Sequence, residues 1–226
     1  MNDLTILYCT ASLLNEYSAN KFREHLLFIT EGKYPIVSVS QKPLDFGYNV
    51  PVGEVGQSNY NFFMQIFFGA ALIRTKYIAH VDDDTLYIPE HFTHRPPDDQ
   101  TFIHNNNSWI NGSKTFWRKK DRWGMYSVIS PTQALIENLR ARFVKYPIPP
   151  KDDRHFGEPG KFDTEFGIPN AKTAVFNTKL PLVRFEYRGS LNGKTKRFGL
   201  PNPNDFTDYL EPYGNAKDLR KQYGFT

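Results

Sequence analysis

The sequence predicts an α/β fold built around a mostly parallel sheet, and three observations lead to this prediction. Apolar runs typical of buried strands occupy residues 4–9, 36–40 and 77–81. Segments with apolar residues at helical spacing separate these runs, at residues 19–30 and 58–72. Alternation of strands and helices favours a parallel sheet, because each helix returns the chain to the same end of the sheet.

Composition indicates a compact protein of one domain. The chain has 226 residues, enough to bury most of the surface that its unfolded form exposes. No apolar run reaches about 18 residues, and the Met-Asn-Asp-Leu start lacks the features of a signal peptide, so we expect no membrane span and a cytoplasmic location. The single cysteine, Cys9, lies in an apolar run and is expected to be a buried, inert thiol. The net charge of +4 implies an anionic partner: a nucleoside diphosphate, a nucleic acid or an anionic lipid.

The first strand ends at Cys9 and is followed by Thr10-Ala11-Ser12 at its carboxyl end. No Gly-x-Gly-x-x-Gly or phosphate-loop motif follows it, which argues against a dinucleotide enzyme or a nucleoside triphosphatase. The second helix starts at a cap formed by Ser58 or Asn59. Its predicted buried face consists of Tyr60, Phe63, Met64, Phe67, Phe68, Ala71 and Leu72.

The strand at 77–81 ends in three carboxylates, Asp82-Asp83-Asp84. Because side chains alternate along a strand, Asp82 and Asp84 should point the same way and Asp83 the opposite way. Two carboxylates on one face repel each other, and a divalent metal would favour their joint ionisation. Oxygen ligands favour Mg²⁺ or Mn²⁺. A solvated acidic turn is the alternative, but ligands of open α/β sheets bind at the carboxyl ends of strands.

The second half of the chain begins with a polar loop around a short strand at 101–104. Basic and aromatic residues then interleave over 116–123, which suits either a polyanion and stacked rings or a hairpin whose Trp side chains fill the core. After a strand at 126–129, Ser130-Pro131-Thr132-Gln133 predicts a capping box. The helix that follows should turn Leu135, Ile136, Leu139 and Phe143 inward and end before Pro147.

These residues resemble the nucleotide-sugar glycosyltransferases of the GT-A fold, most closely the family 2 type. The corresponding features are Asn59 at a helix start, the strand at 77–81, the Asp-x-Asp of Asp82-Asp83-Asp84, and Pro89 downstream. The resemblance covers residues 4–92 well and the remainder loosely. It implies a single GT-A domain at 1–226, with a nucleotide-sugar-binding half at 1–92, an acceptor half at 93–200 and a C-terminal tail at 201–226.

The resemblance also implies roles for individual residues. Asp84 would bind the metal, and Asp82 the ribose or the metal. The general base would be Asp163 or Glu165, although the usual Glu-Asp pair is absent. The late metal-binding histidine of many such enzymes is missing, since the last histidine is His155; a basic loop at 188–197 could replace part of its role. The predicted contacts to the nucleotide sugar are Thr10, Ala11, Ser12, Asn59, Asp82, Asp83, Arg188 and Lys194.

The sequence therefore predicts a glycosyltransferase that depends on Mn²⁺ or Mg²⁺ and moves a hexose or a pentose from a nucleoside diphosphate sugar to a hydroxyl group. The acceptor would be a glycan or a hydroxylated base in DNA, as in virus-encoded enzymes that act in the host cytoplasm. DNA would bind through Trp117, Arg118, Lys119, Lys120, Arg122 and Trp123. A nucleotidyltransferase and a non-catalytic nucleic-acid-binding module are the alternatives.

Overall fold

The computed structural model describes residues 2–118, 124–187 and 206–225. The helices are α1 (Glu16–Thr30), α2 (Asn59–Leu72), α3 (Thr132–Lys145) and α4 (Ala216–Gln222), with 3-10 turns at Pro89–Thr93, Met125–Ser127 and Asp153–Phe156. The strands are β1 (Leu4–Thr10), β2 (Ile36–Ser40), β3 (Tyr48–Pro51), β4 (Tyr77–Asp82), β5 (Thr85–Leu86), β6 (Thr101–Asn105), β7 (Ser108–Asn111), β8 (Phe116–Trp117), β9 (Val128–Pro131), β10 (Lys172–Phe176), β11 (Leu182–Phe185), β12 (Phe206–Thr207), β13 (Tyr209–Leu210) and β14 (Gly214–Asn215).

Within the described residues, seven strands form the central sheet in the order β10-β6-β9-β4-β1-β2-β3. Only β9 runs antiparallel to its neighbours there, β4 and β6, so the predicted mostly parallel α/β sheet is confirmed. The pairing of Cys9 with Asp82 and of Thr10 with Ser40 aligns the carboxyl ends of three adjacent strands. The Asp82-Asp83-Asp84 segment consequently lies beside Thr10-Ala11-Ser12.

Helices cover both faces of the central sheet. Leu4, Ile6 and Tyr8 pack with Leu26 of α1 on one face, and the alternate residues Leu7 and Cys9 pack against α2 and α3 on the other. This alternation is what a doubly covered strand requires. Cys9 is buried and free, as predicted.

Helix α2 begins as predicted, because the Ser58 side chain accepts a hydrogen bond from the Asn61 N–H at 3.1 Å. The predicted buried face is partly wrong, since Phe68, Ala71 and Leu72 are exposed. The residues that are buried on α2 are Phe63, Gln65, Ile66, Gly69 and Ala70. The side of α2 that carries Gly69 faces the sheet. A Cβ at Gly69 would overlap Leu7 Cδ1 and lie 2.9 Å from Val39 Cγ2, so the missing side chain allows the helix to approach the sheet closely.

Two predicted helix starts are also corrected. Helix α1 begins at Glu16, three residues before the predicted start, because the Asn15 side chain caps it by accepting from the Ser18 N–H at 2.9 Å. The capping box at the start of α3 does not form. Ser130 is part of β9 and pairs with Ile78, and the first N–H of the helix, at Thr132, donates to the Lys76 carbonyl at 3.0 Å.

A second sheet of the described chain, in the order β12-β8-β7-β11-β5, adjoins the acidic segment. The helix α4 and the residues after it pack against this sheet and against α1: the rings of Phe22 and Tyr223 lie 4.9 Å apart. Ser18 Oγ donates to the Tyr223 carbonyl at 2.7 Å. No helix in the described ranges is long and apolar enough to cross a membrane.

Candidate active site

The three aspartates lie where the central sheet meets the second sheet. Asp82 is the last residue of β4, and Thr85 begins β5. Because β5 pairs with β11, Arg184 of β11 stands opposite Thr85. A backbone hydrogen bond of 2.8 Å from the Phe185 N–H to the Asp84 carbonyl fixes this register. Strand pairing therefore brings a cation from late in the chain to the acidic segment.

Asp82 and Asp84 both face Arg184. The distance from Asp84 Oδ1 to Arg184 Nε is 3.3 Å, and the distance from Asp82 Oδ2 to Arg184 Nη2 is 3.9 Å. All three side chains are largely buried, with 4% of Asp84, 13% of Asp82 and 16% of Arg184 exposed. The predicted orientation of Asp82 and Asp84 to a common side is thus observed, and the positive charge between them is a guanidinium.

Asp83 points to β1 instead. The Thr10 hydroxyl donates a hydrogen bond to Asp83 Oδ2 and accepts one from the Ser12 N–H at 2.9 Å. Ser12 adopts φ = 55°, a left-handed backbone conformation that residues other than glycine seldom take. Thr10, Ser12 and Asp83 therefore form one connected edge of the site.

The electrostatics of the site are dominated by burial and by like charges. Burial raises the pKa of the Asp82 carboxyl above its usual range, Arg184 opposes this shift, and the charges of Asp84 and Asp83 add to it. Burial and the Asp84 charge likewise raise the pKa of Asp83, against the hydrogen bond from Thr10. A bound cation, or a ligand that brings one, would relieve this repulsion.

Aromatic side chains hold the charged groups in place. Tyr87 Oη accepts a hydrogen bond from the Asp82 N–H at 3.0 Å and donates one to the Tyr126 carbonyl at 2.9 Å. The Tyr126 ring lies 5.3 Å from the Arg184 guanidinium carbon, a cation–π distance.

His80 is buried two residues before Asp82 on the same strand, and its Nδ1 lies 3.6 Å from Asp82 Oδ1. Burial lowers the pKa of His80 to about 3, so this ring is neutral at physiological pH.

A cavity of about 240 Å³ opens beside the Thr10 edge of the acidic segment. Apolar groups of Leu14, Ala19, Pro43 and Leu44 line it together with the polar and charged side chains of Thr10, Ser12, Glu16, Arg23 and Lys42. Arg23 is paired with Glu16 at 2.5 Å, and Lys42 lies 3.8 Å from Glu54. The cavity has a mixed lining and lies at the carboxyl ends of parallel strands, where ligands of open α/β sheets bind.

The two residues predicted as the general base occupy different surroundings. Asp163 is completely buried in an ion pair with Arg142, and its Oδ2 accepts hydrogen bonds from the Gly160 and Ala171 N–H groups at 2.7 and 2.9 Å. Glu165 lies at the surface in an ion pair with Arg154 at 3.0 Å. The surroundings of Asp163 favour a structural role, and the catalytic assignment of both residues stays a prediction.

Other predicted contacts are only partly described. Asn59 is the first residue of α2, behind its cap Ser58. Ala11 lies between Thr10 and Ser12 and is half-buried. Trp117 and Arg118 are half-buried on the hairpin of β7 and β8, where Arg118 Nη2 donates to the Asn106 carbonyl at 2.9 Å. Arg188, Lys194, Lys119, Lys120, Arg122 and Trp123 lie outside the described residues.

Sequence reasoning missed two charged residues near the aspartates. Arg184 is separated from Asp84 by 100 positions, and only its place in a short apolar strand before the basic loop could have drawn attention to it. Burial raises the pKa of Asp82 and of Tyr126, and the charge of Glu158, which is paired with Lys161 at 3.0 Å, adds to both shifts. Glu158 stands in the loop sequence Gly157-Glu158-Pro159-Gly160, and loops often carry functional residues.

No protein-family model and no curated protein sequence matches the chain. Among solved structures, it is similar to a glycosyltransferase involved in the glycosylation of the major capsid of PBCV-1, with 13% identity, coverage of 81% of this chain and 92% of that one, and a TM-score of 0.50. It is also similar to the inositol-1-phosphate CTP transferase from T. maritima, with 9% identity, coverage of 99% and 98%, and a TM-score of 0.50. The chain thus has the predicted GT-A type of α/β fold.

Proposed function

We propose that this protein is a glycosyltransferase that moves a hexose or a pentose from a nucleoside diphosphate sugar to a hydroxyl group. One observation supports the proposal: a cavity at the carboxyl edge of the sheet is lined by Thr10, whose hydroxyl donates to Asp83 of the Asp82-Asp83-Asp84 segment. In open α/β sheets this edge is where nucleotides bind. The nucleoside occupies the cavity, and the diphosphate and sugar extend toward the aspartates.

The donor is oriented by the groups at the cavity edge. Thr10 and Ser12 line the cavity, and Asp83 shares the Thr10 hydroxyl, so a ribose placed there meets hydroxyl, amide and carboxylate partners. Such a polar edge beside apolar walls fixes the orientation of a ligand. Asn59 and the basic residues Arg188 and Lys194 remain predicted contacts to the donor.

The reaction requires a group that takes the proton from the attacking hydroxyl. The hydroxyl oxygen forms a bond to the anomeric carbon, the bond from that carbon to the diphosphate oxygen breaks, and the proton passes to a carboxylate. Asp163 is engaged by its ion pair and two backbone amides, and Glu165 pairs with Arg154 at the surface. Both stay proposed as the base, and Glu158 is added as a third candidate, because its Oε1 lies 3.5 Å from the position that a Cβ at Gly124 would take, two residues before the Tyr126 ring that packs on Arg184.

The metal expected from the sequence, Mn²⁺ or Mg²⁺, would be held by Asp82 and Asp84. These carboxylates do not fit that role in the observed arrangement, because Arg184 already lies against both. Within the described part of the chain, no group of three or more His, Cys, Asp or Glu side chains is arranged to hold a metal ion. The proposed function is accordingly stated without a step through a metal.

The acceptor is a glycan or a hydroxylated base in DNA. Trp117 ends the hairpin at residues 108–117, Arg118 follows it, and the remaining basic and aromatic residues of the proposed DNA contact come next in the sequence. Aromatic rings interleaved with cations would suit sugars as well as bases. A cytoplasmic location stays a prediction for either acceptor.

A nucleotidyltransferase is the second candidate, since the similarity to the inositol-1-phosphate CTP transferase is as high in TM-score as the similarity to the capsid glycosyltransferase. The released product separates the two. A glycosyltransferase releases a nucleoside diphosphate from a sugar donor, and a nucleotidyltransferase releases pyrophosphate from a nucleoside triphosphate.

The test is a screen of purified protein against UDP-, GDP- and TDP-sugars and against the four nucleoside triphosphates, with slow donor hydrolysis as the readout. We expect release of a nucleoside diphosphate from one sugar donor, and loss of this release in Asp83→Asn. Pyrophosphate release would replace the proposal with nucleotidyl transfer. Release of neither product, together with binding to nucleic acid, would favour a non-catalytic module.

A further inference from the structure

We propose that Arg184 is the cation of the acidic site: its guanidinium, in place of a divalent metal ion, balances Asp82 and Asp84. The proposal rests on the geometry, with Arg184 Nε 3.3 Å from Asp84 Oδ1 and Nη2 3.9 Å from Asp82 Oδ2. One part of the proposal rests on the proposed function: Arg184 would then be the group that carries positive charge near the donor diphosphate.

Arg184 is fixed in this position by the fold. Its strand β11 pairs with β5 on one side and with β7 on the other, so the backbone on which Arg184 sits is hydrogen-bonded to both neighbours. The Tyr126 ring packs against the guanidinium at 5.3 Å, and Tyr126 Oη lies within hydrogen-bond distance of Ser108 Oγ, at 3.1 Å. Two neighbouring strands and an aromatic ring therefore hold Arg184 in place, whereas a surface cation moves freely between partners.

The guanidinium and a divalent ion compete for the same carboxylates. Arg184 Nε donates a hydrogen bond to Asp84 Oδ2 at 3.4 Å, and Nη2 lies at ion-pair distance, 3.9 Å, from Asp82 Oδ2, so one guanidinium charge acts on both carboxylates. A dication brought to Asp82 and Asp84 meets twice the repulsion from Arg184 that a monovalent cation would meet at the same distance. Removal of the Arg184 charge should therefore create a divalent metal site that the native protein lacks.

The experiment measures Mn²⁺ binding without nucleotide, by titration calorimetry and by electron paramagnetic resonance of free Mn²⁺. Arg184→Met keeps an apolar stem against Tyr126 and removes the charge; we expect it to bind Mn²⁺ at least about tenfold more tightly than the native protein. Arg184→Lys, the matched control, retains a cation and should not gain affinity. In the double variant Arg184→Met/Asp84→Asn the gain should disappear.

Several outcomes would overturn the proposal. One is tight Mn²⁺ binding by the native protein that Asp84→Asn abolishes, and another is a folded Arg184→Met that binds no more tightly. If Arg184→Met does not fold alone, circular dichroism with added Mn²⁺ decides, since a variant with an emptied cation position should be folded by the ion. Should it fail to fold under both conditions, Asp84→Asn in the native background decides, because unchanged weak Mn²⁺ binding supports the proposal.

A second measurement keeps this inference separate from the proposed function. Binding of UDP, GDP, TDP and CDP is compared in EDTA and in Mn²⁺ by calorimetry. Binding of one nucleotide in EDTA supports both ideas, and binding that requires Mn²⁺ overturns the Arg184 assignment while leaving the glycosyltransferase intact. If no nucleotide binds but Arg184→Met gains Mn²⁺ affinity, the proposed function fails and the Arg184 assignment stands.

Discussion

Arg142 and Asp163 form an ion pair in which neither side chain is exposed to solvent. The pair joins helix α3 to the segment at 160–171, because Asp163 also accepts hydrogen bonds from the Gly160 and Ala171 N–H groups and from Asn138 Nδ2. The Asp163 carboxylate therefore organises the loop that carries Glu158. These contacts favour a structural role for Asp163, and its assignment as the base stays a prediction.

The first prediction concerns this anchor. Asp163→Ala should lower the free energy of unfolding by about 3–5 kcal/mol, because it leaves the Arg142 charge buried without its partner. Urea unfolding monitored by circular dichroism measures the loss. Glu165→Ala, which removes a carboxylate paired at the surface, is the control and should change stability little. An Asp163→Ala variant of native stability with turnover abolished would instead support the predicted base role.

The strand and helix pattern was predictable because it is local. Apolar runs located β1, β2 and β4, helical spacing located α2, and strand alternation placed Asp82 and Asp84 on one side. The exposed Phe68 and the unformed cap at Ser130 were mispredicted because tertiary packing chose the buried face of α2 and the extent of β9. Arg184 could not be predicted, since its contact with Asp84 exists only after β5 and β11 pair across 100 positions.

The second prediction tests the base. Glu158→Gln should lower turnover at least ~100-fold with little change in donor affinity, as expected when general-base assistance is lost. Steady-state kinetics with the donor identified by the screen, and a direct measurement of donor binding, separate the two effects. Glu165→Gln is the matched variant at a residue that the sequence predicts for this role. A large loss of turnover in Glu165→Gln, with Glu158→Gln active, would assign the base to Glu165.

The third prediction concerns the approach of α2 to the sheet. Gly69→Ala should destabilise the protein by about 1–3 kcal/mol, because the added methyl group overlaps Leu7 Cδ1 and crowds Val39. The double variant Gly69→Ala/Leu7→Val removes the Leu7 Cδ1 contact and should lose less than the sum of the two single changes. If the two losses of unfolding free energy are strictly additive in urea unfolding, Leu7 does not restrict the space for a side chain at position 69.

The fourth prediction concerns acid stability. His91 is fully buried, its ring stacked on Phe176 at 5.7 Å, and burial lowers its pKa to about 3, with a further lowering by His94. An unfolded histidine has a pKa of about 6.5. Between these values the unfolded chain binds the extra proton, so the free energy of unfolding falls as the pH falls from about 6.5 toward 3.

His91→Phe keeps a ring in this packing and removes the proton site. As the pH falls from 7.5 to 5.5, the native protein should lose about 1.4 kcal/mol more unfolding free energy than the variant. The reason is that only an unfolded chain that contains His91 takes up that proton. Urea unfolding at the two pH values measures the difference, and all other titrating groups are common to both proteins. An identical pH dependence in native protein and variant would contradict the buried neutral state of His91.

The fifth prediction tests DNA as the acceptor. If Lys119, Lys120 and Arg122 contact phosphates, duplex DNA should bind with an affinity that falls with salt at a log–log slope of about −0.9 per contact, because each contact releases condensed counterions. Arg118 is set aside, since its guanidinium already donates to the Asn106 carbonyl. Changing the three cations to Ala should reduce the slope by up to about three units.

The control for this measurement removes the same charge elsewhere. Lys33, Lys76 and Lys217 are exposed, and their replacement by Ala lowers the net charge equally. A slope that falls as much in this control would show that binding reflects overall charge and no defined contact. Trp117→Ala should weaken binding by roughly 1–3 kcal/mol if a base stacks on this ring. Native protein that shows no salt-dependent binding at low ionic strength, and that transfers sugar only to a saccharide, would exclude DNA and leave the glycan as the acceptor.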